Sequence, residues 1–244
     1  MNKTQQYELT IIVPVYNEED NLDRVEKALA DYLPKASVKA CALFVNDGST
    51  DSSLDKIREI CGRHADFLYI SSNDNHGLST AMKAGIDSAQ SRLVGYIDSD
   101  LQTNPEDFNL LLQYADDNQL VSGIRKDSAF KRFQSRVANR FRRHMTGDTA
   151  TDTGCPLKVM WTSYAQRLPF FDGMHRFLAA LMTLEGGRFK EVPVRHYPRT
   201  AGVSKYHLWN RLKGPFLDCF AFRWMKARYI RYTVDNSNLD DNAR

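Results

Sequence analysis

Leu9 to Asp20 reads LTIIVPVYNEED, and its two halves obey different periods. Leu9 to Val15 is a short apolar run rich in β-branched residues, which predicts a buried strand. Asn17 to Asp20 supply acidic residues for a first helical turn, and Leu22, Val25, Leu29 and Leu33 follow at helical spacing. The same unit recurs. Ala40 to Val45 (ACALFV) predicts a strand, Asp47-Gly48-Ser49 a turn, and Leu54, Ile57 and Ile60 the apolar face of a helix. Phe67 to Ile70 predicts a third strand, followed by a helix from about Leu78 to Ala89. Leu93 to Ile97 (LVGYI) predicts a fourth, followed by Asp98-Ser99-Asp100 and a helix opened by Pro105 at its first turn. Such alternation predicts an α/β fold with a mostly parallel sheet and helices on both faces. Ligands of these sheets bind beyond the carboxyl ends of the strands, where the polar clusters of this chain sit.

Past a further strand at Leu120–Gly123 the rhythm changes. Phe130, Phe133, Val137 and Phe141 lie at spacings of three and four among Lys131, Arg132, Arg136, Arg140, Arg142 and Arg143. This predicts a basic amphipathic helix over about 129–146, a form suited to an anionic membrane surface. Phe177 to Leu184 predicts a helix ended by Gly186-Gly187, and Phe189 to Val194 a late strand. From Lys205 to Tyr232 aromatic and basic residues alternate, and the last dozen residues are polar. The expected division is one domain over 1–205, an amphipathic segment facing a membrane or partner over 206–232, and a polar tail over 233–244.

Composition narrows the function classes. The 244 residues are 42% hydrophobic and 26% charged, near the globular average, which excludes a wholly disordered or fibrous chain. No apolar stretch approaches the ~18 residues of a membrane span, and the N-terminus lacks the apolar run of a signal peptide. Cys41, Cys61, Cys155 and Cys219 lie far apart without a C-x-x-C pair, as expected of reduced thiols in the cytoplasm. The net charge of +3 hides an asymmetry. Arg125 to Arg143 holds eight Lys/Arg against one Asp, and Lys205 to Tyr232 seven against one, so the remaining chain is acidic. Anionic partners are expected at those two segments only, with no nucleic acid among them.

Asp98 and Asp100, one residue apart at a strand end, can converge on a hard divalent cation, which prefers oxygen ligands. Alone, the triplet reads first as a solvated turn capping a helix, since Asp is common there. Likewise, Pro14-Val15-Tyr16 alone reads as core followed by a helix start. The wider pattern is more specific. VPVYNEE after the first strand, VNDGSTD after the second, DSDLQTNPE after the fourth and RTAGVSKY near the end together resemble the family 2 glycosyltransferases of GT-A fold. Within them the likeness is to polyprenyl-phosphate sugar transferases such as dolichyl-phosphate mannose synthase, and it spans about Leu9 to Tyr206.

That resemblance implies a GT-A-type, Rossmann-like domain followed by the C-terminal amphipathic segment. It assigns Asp98 and Asp100, with Gln102 as a third ligand, to magnesium or manganese on the donor diphosphate. Pro14, Tyr16 and Glu18 match the pocket for the donor base and ribose, and Asp47 an aspartate contacting the base. Asn46-Asp47 stands where relatives often carry two consecutive acids. Arg199 and Lys205 bracket a Gly-containing loop with cationic ends for the diphosphate. On the acceptor side, Arg125, Arg132 and Ser135 match phosphate contacts, with Lys131 competing with Arg132 for register. Asp152 falls where relatives carry a base for hydroxyl acceptors; base, sugar-positioning group and brace for basic residues are all open to it. His175-Arg176 resembles a segment near the sugar pocket, and a structural histidine fits equally.

The implied activity is inverting, metal-dependent transfer of a hexose from a UDP- or GDP-sugar to a polyprenyl phosphate. A phosphate acceptor is already largely ionised at neutral pH, so it needs cations rather than a general base. Two alternatives stand beside this: transfer to a glycan hydroxyl with Asp152 as base, and a non-catalytic nucleotide-sugar-binding or membrane scaffold. The expected location is peripheral, at the cytoplasmic face of a membrane. A second copy of the chain or a small membrane protein would use the same aromatic segment.

Overall fold

All seven residues of Leu9–Val15 are buried, as a strand covered on both faces must be. In the computed structural model, which describes residues 2–125, 139–197 and 208–230, this strand, β1, is central. The others are β2 (Ala40–Asp47), β3 (Phe67–Ser72), β4 (Leu93–Tyr96), β5 (Leu120–Arg125), β6 (Lys158–Trp161) and β7 (Phe189–Val194). They form one 7-stranded sheet in the order β3-β2-β1-β4-β6-β5-β7. β1 pairs in parallel with β2 and β4, β2 with β3, and β5 with β7. β6 runs antiparallel to both β4 and β5. Consequently the last residue of β5 and the first residue of β6 reach the same edge as the carboxyl ends of β1, β2 and β4.

The helices are α1 (Glu19–Tyr32), α2 (Ser53–Arg63), α3 (Leu78–Ser88), α4 (Phe108–Leu112), α5 (described over 139–146), α6 (Thr162–Ala165), α7 (Leu178–Leu184) and α8 (Leu208–Ala227). The pleat of β1 sorts two cores. Leu9, Ile11, Val13 and Val15 meet Leu22, Val25 and Leu29 of α1 and Ile57 and Ile60 of α2. Ile12 faces the other way, toward Ala81, Met82 and Ile86 of α3 and the apolar side of α7. The α3 contact is tight: a Cβ on Gly85 would lie 2.7 Å from Ile12 Cγ2, so only glycine fits there.

Pro14 would disrupt most central strands. It is tolerated because β4 pairs with β1 only from Leu9 to Ile12, leaving no ladder bond for the missing N–H to break on that side. β2 runs two residues beyond its apolar run because Asn46 and Asp47 pair with Ser71 and Ser72. Asp47 therefore ends a strand rather than opening a turn. The four residues of β6 were not anticipated from sequence; KVMW is too short to show a period and depends on its two neighbours. The helix expected after Pro105 is a 3-10 turn at Pro105–Asp107 leading into the short α4.

α5 is helical where described, matching the end of the expected basic helix. α8 turns Cys219 and Phe222 inward, with Phe222 stacked on Phe177 at 6.0 Å between centroids. Lys226 Nζ donates to Thr146 O at 2.9 Å at the end of α5, and Phe141 of α5 stacks on Phe216 of α8 at 5.1 Å. No described helix is long and apolar enough to cross a membrane.

Candidate functional site

The carboxyl ends of β1, β2 and β4 enclose a cavity of ≈ 360 Å³. It lies where the strand order reverses about β1, the usual ligand crevice of such sheets. Pro14, Tyr16, Glu18, Asp47, Asp98 and Asp100 all line it, together with Asn75, Gly77 and Leu78. Its rim is stitched between loops distant in sequence. Asn17, at φ 52, receives the Thr50 N–H on its Oδ1 at 2.7 Å and donates its own N–H to Ser49 Oγ. Glu18 donates its N–H to Ser53 Oγ at 2.9 Å and accepts from Asn21 Nδ2 on Oε2.

Asp47 organises the loop before α3. Its carboxylate accepts from His76 N at 3.0 Å, Gly77 N at 2.7 Å and Asn75 Nδ2 at 3.0 Å. Gly48, at φ 64, makes this approach feasible, since a Cβ there would fall 2.3 Å from the Asp74 carbonyl carbon. Asp47 thus both lines the cavity and shapes its wall. Asn75 and Gly77 were not singled out from sequence, and only their polar loop composition hints at them.

Asp98 and Asp100 follow β4 on the opposite wall. The Tyr96 hydroxyl donates to Asp98 Oδ1. Burial, and after it the Asp100 charge, push the Asp98 carboxyl up against the opposing effects of Tyr96, Lys158 and Arg125. The Gln102 N–H donates to Asp100 Oδ1 at 3.2 Å, and Gln102 O accepts from Tyr197 N, which ties this loop to the chain after β7. Leu101, between them, is held at φ 52, an unusual conformation for a branched residue and a local strain beside the acidic pair. Two carboxylates facing a crevice form an oxygen-rich donor set that suits a hard divalent cation. Among the described residues no group of three or more His, Cys, Asp or Glu side chains gathers to hold a metal.

The neighbouring strands bring a different set. Arg125, last in β5, clasps Asp152 through Nε to Oδ2 and Nη2 to Oδ1, both at 2.9 Å, and its N–H reaches Oδ2 at 3.0 Å. Glu191 of β7 accepts the Thr151 and Asp152 N–H groups and so holds this loop in place. Burial alone would raise the Asp152 carboxyl; the Arg125 hydrogen bonds and charge, with Lys158, outweigh it and hold it below the ordinary value. Of the roles open to Asp152, the geometry displays the brace.

Lys158 was missed in the sequence because nothing marks Leu157-Lys158 locally. It opens β6 opposite Tyr96, is buried, and donates from Nζ to Cys155 O. Burial pushes its ammonium down, the neighbouring Asp152 and Asp98 charges opposing. Ser122, Asp152, Lys158, His175 and Arg176 line one small cleft. Burial brings the His175 imidazole down to about 3, assisted by Arg176 and Lys158, so the ring is neutral. Arg132, Ser135, Lys131, Arg199 and Lys205 lie outside the described residues. A larger cavity of ≈ 900 Å³ around Tyr32, Asp107 and Arg195 contains none of the candidate residues.

Comparisons with known proteins give a family and a fold. The family described as Glycosyl transferase family 2 matches residues 10–176. The chain is 34% identical over 215 residues to a dodecaprenyl-phosphate galacturonate synthase of Rhizobium johnstonii, covering 83% of this chain and 62% of that protein. It is 32% identical over 211 residues to an undecaprenyl-phosphate 4-deoxy-4-formamido-L-arabinose transferase of Edwardsiella ictaluri, covering 84% and 65%. It therefore spans less than two thirds of the length of either relative. Among solved structures, glucosyl-3-phosphoglycerate synthase from Mycobacterium tuberculosis, in complex with Mn2+, UDP and glucosyl-3-phosphoglycerate, has a TM-score of 0.68 at 15% identity, covering 93% of this chain and 82% of that one. The mannosyltransferase PcManGT from Pyrobaculum calidifontis, in complex with GDP-Man and Mn2+, has a TM-score of 0.61 at 17% identity, covering 93% and 66%. These likenesses show the GT-A fold.

Proposed function

The chain belongs to glycosyl transferase family 2, and from that membership we propose that it moves a sugar from a nucleotide donor onto a polyprenyl phosphate by a metal-dependent, inverting displacement. One observation carries the reading: the two anions of such a reaction find opposite environments. Among the described residues, Glu18, Asp47, Asp98 and Asp100 line the first cavity, and no Lys or Arg does. A diphosphate there needs a cation beside it, and Asp98 and Asp100, with Gln102 next to them, are the residues that would hold magnesium or manganese. When bound, the ion neutralises the diphosphate and the charge that grows on it as it leaves.

Arg125 and Lys158 face the other side, where direct ionic contacts suit an acceptor phosphate. The phosphate oxygen forms its bond to the anomeric carbon as the bond from that carbon to the diphosphate oxygen breaks, and the electron pair leaves with the nucleoside diphosphate. A single displacement inverts the anomeric centre. No proton has to be removed. The clasped, lowered Asp152 carboxyl supports this over a hydroxyl acceptor, because a base held well below neutrality accepts a proton poorly.

The names of the two curated relatives share a polyprenyl phosphate and differ in the sugar, so the acceptor class is what we carry over. Peripheral attachment fits the outward face of α8, where Phe216, Leu217, Phe220 and Trp224 are 50%, 65%, 49% and 63% exposed beside Arg223 and Arg228. Four unpaired cysteines support the cytoplasmic side.

The test is transfer across UDP- and GDP-sugars, with and without undecaprenyl phosphate, in magnesium, manganese or chelator. Transfer to the lipid that requires donor, lipid and metal is expected. Transfer only to soluble glycan hydroxyls would replace the acceptor assignment, and no metal-dependent nucleotide binding by calorimetry would leave a scaffold.

A further inference from the structure

One hydrogen bond determines the tautomer of His175. Ser79, in the first turn of α3, is buried; its Oγ lies 2.9 Å from His175 Nδ1 and accepts the Gly173 N–H at 3.1 Å. Among the described residues the Ser79 hydroxyl hydrogen then has one acceptor within reach, Nδ1. The opposite arrangement would leave that hydrogen buried and unpaired. Nδ1 is therefore an acceptor, and the single proton of the neutral ring sits on Nε2. Among the described residues Nε2 has no partner, and it is not sealed from solvent.

The place of this donor gives it meaning. Gly77 and Leu78, directly before Ser79, line the cavity of Asp98 and Asp100. His175 itself lines the cleft of Asp152, Lys158 and Arg176. That cleft holds only ≈ 10 Å³, about one water, so a bound molecule meets these groups at its mouth. The Ser79–His175 pair thus links the two cavities, and a sugar passing from a nucleotide in the first to an acceptor near Asp152 and Lys158 would cross there.

We infer that His175 is a sugar-binding residue that helps set specificity: its Nε2–H donates to a hydroxyl oxygen of the transferred sugar, and Ser79 is its positioning residue. The inference rests on the proposed glycosyl transfer.

Calorimetry on the full chain with manganese tests it, comparing a nucleoside diphosphate with the matching nucleotide sugar. The glutamine amide reaches as far as Nε2, whereas the asparagine amide reaches only Nδ1. His175→Asn should weaken the nucleotide sugar roughly five- to tenfold, the loss of one neutral hydrogen bond. His175→Gln should restore most of this, and Ser79→Ala should cost about twofold. All three variants should bind the nucleoside diphosphate as the wild type does. Wild-type affinity of His175→Asn for the nucleotide sugar overturns the inference. So does an equal loss for the nucleoside diphosphate, which marks a merely structural role and also covers a folding defect. A wild-type chain that binds no nucleoside diphosphate removes the glycosyl-transfer reading, and the inference falls with it.

Discussion

Under β1, β2 and β4 the site presents carboxylates, whereas around β5 and β6, one strand further along, Arg125 pairs with Asp152 and Lys158 and Arg176 share a cleft with it. The two regions share one sheet edge and, on the proposed reading, would hold an anion in opposite ways. On the proposed reading the first leaves its charge balance to a divalent ion, which would couple nucleotide binding to metal. The second carries its cations on the chain itself, Lys158 buried and Arg125 half-buried, with Asp152 balancing Arg125. Burying either set without a counter-charge would be costly, and Lys158 and Arg125 do act on the Asp98 carboxyl.

The sharpest way to break this contrast is at the acidic wall. Asp100→Ala should lower transfer by about 10²–10³-fold, the scale of losing one electrostatic contact to developing charge, with an unchanged melting temperature. A folded variant with wild-type turnover across a metal titration would refute the metal assignment.

Next comes the basic side. Arg125→Ala should cost about 2–5 kcal/mol in kcat/KM for the lipid acceptor, the scale for stripping one partner from a desolvated pair, with nucleotide affinity unchanged. Asp152→Asn should stay within about tenfold of wild type, because no proton transfer depends on it. Initial rates of both variants on lipid and soluble acceptors decide the matter. A dead Asp152→Asn beside a healthy Arg125→Ala inverts the comparison and restores a hydroxyl acceptor.

A smaller effect belongs to α8. Phe220→Glu with Trp224→Glu should reduce flotation with anionic vesicles about tenfold at low salt, since interfacial binding follows apolar area and basic charge. Transfer to a short-chain acceptor should be untouched. If light scattering instead shows a dimer that these changes dissolve, a second copy covers the face.

The smallest is a matter of pH. The Asp152 carboxyl is held below its ordinary value in the folded chain, so its pair with Arg125 contributes stability that is full above the unfolded value near ~4. That contribution is lost as pH falls through the lower folded value. Asp152→Asn should flatten this part of the acid limb in melts between about pH 5 and 3; an unchanged limb would mean the pair is not formed.

What was legible in the sequence was what repeats locally. β1 and β7 lie at their expected residues, and Leu22, Val25 and Leu29 of α1 and Ile57 and Ile60 of α2 are buried as expected, whereas Leu54 is only half-buried and Ser53 is buried in its stead. Polar residues after each strand announced where the crevice would open. Errors fell where a partner decides. β2 continues through Asn46 and Asp47 because β3 runs beside them, and β6 is a strand because β4 and β5 leave a slot for it. For the site, Asp98, Asp100 and Arg125 could be nominated from their motifs, while Lys158 carries no local mark.

By itself, then, the sequence determined the alternation of strands and helices, the acidic and basic halves, and the family motifs, because periodicity and composition are properties of neighbours along the chain. Tertiary structure alone decided that Arg125 clasps Asp152, 27 residues away, and that Ser79 orients His175, 96 residues away. It also decided that Lys158, on β6, which runs antiparallel to its neighbours, reaches the edge where they end. Those contacts depend on strand order and on which groups lose their water together, and no spacing along the chain encodes either.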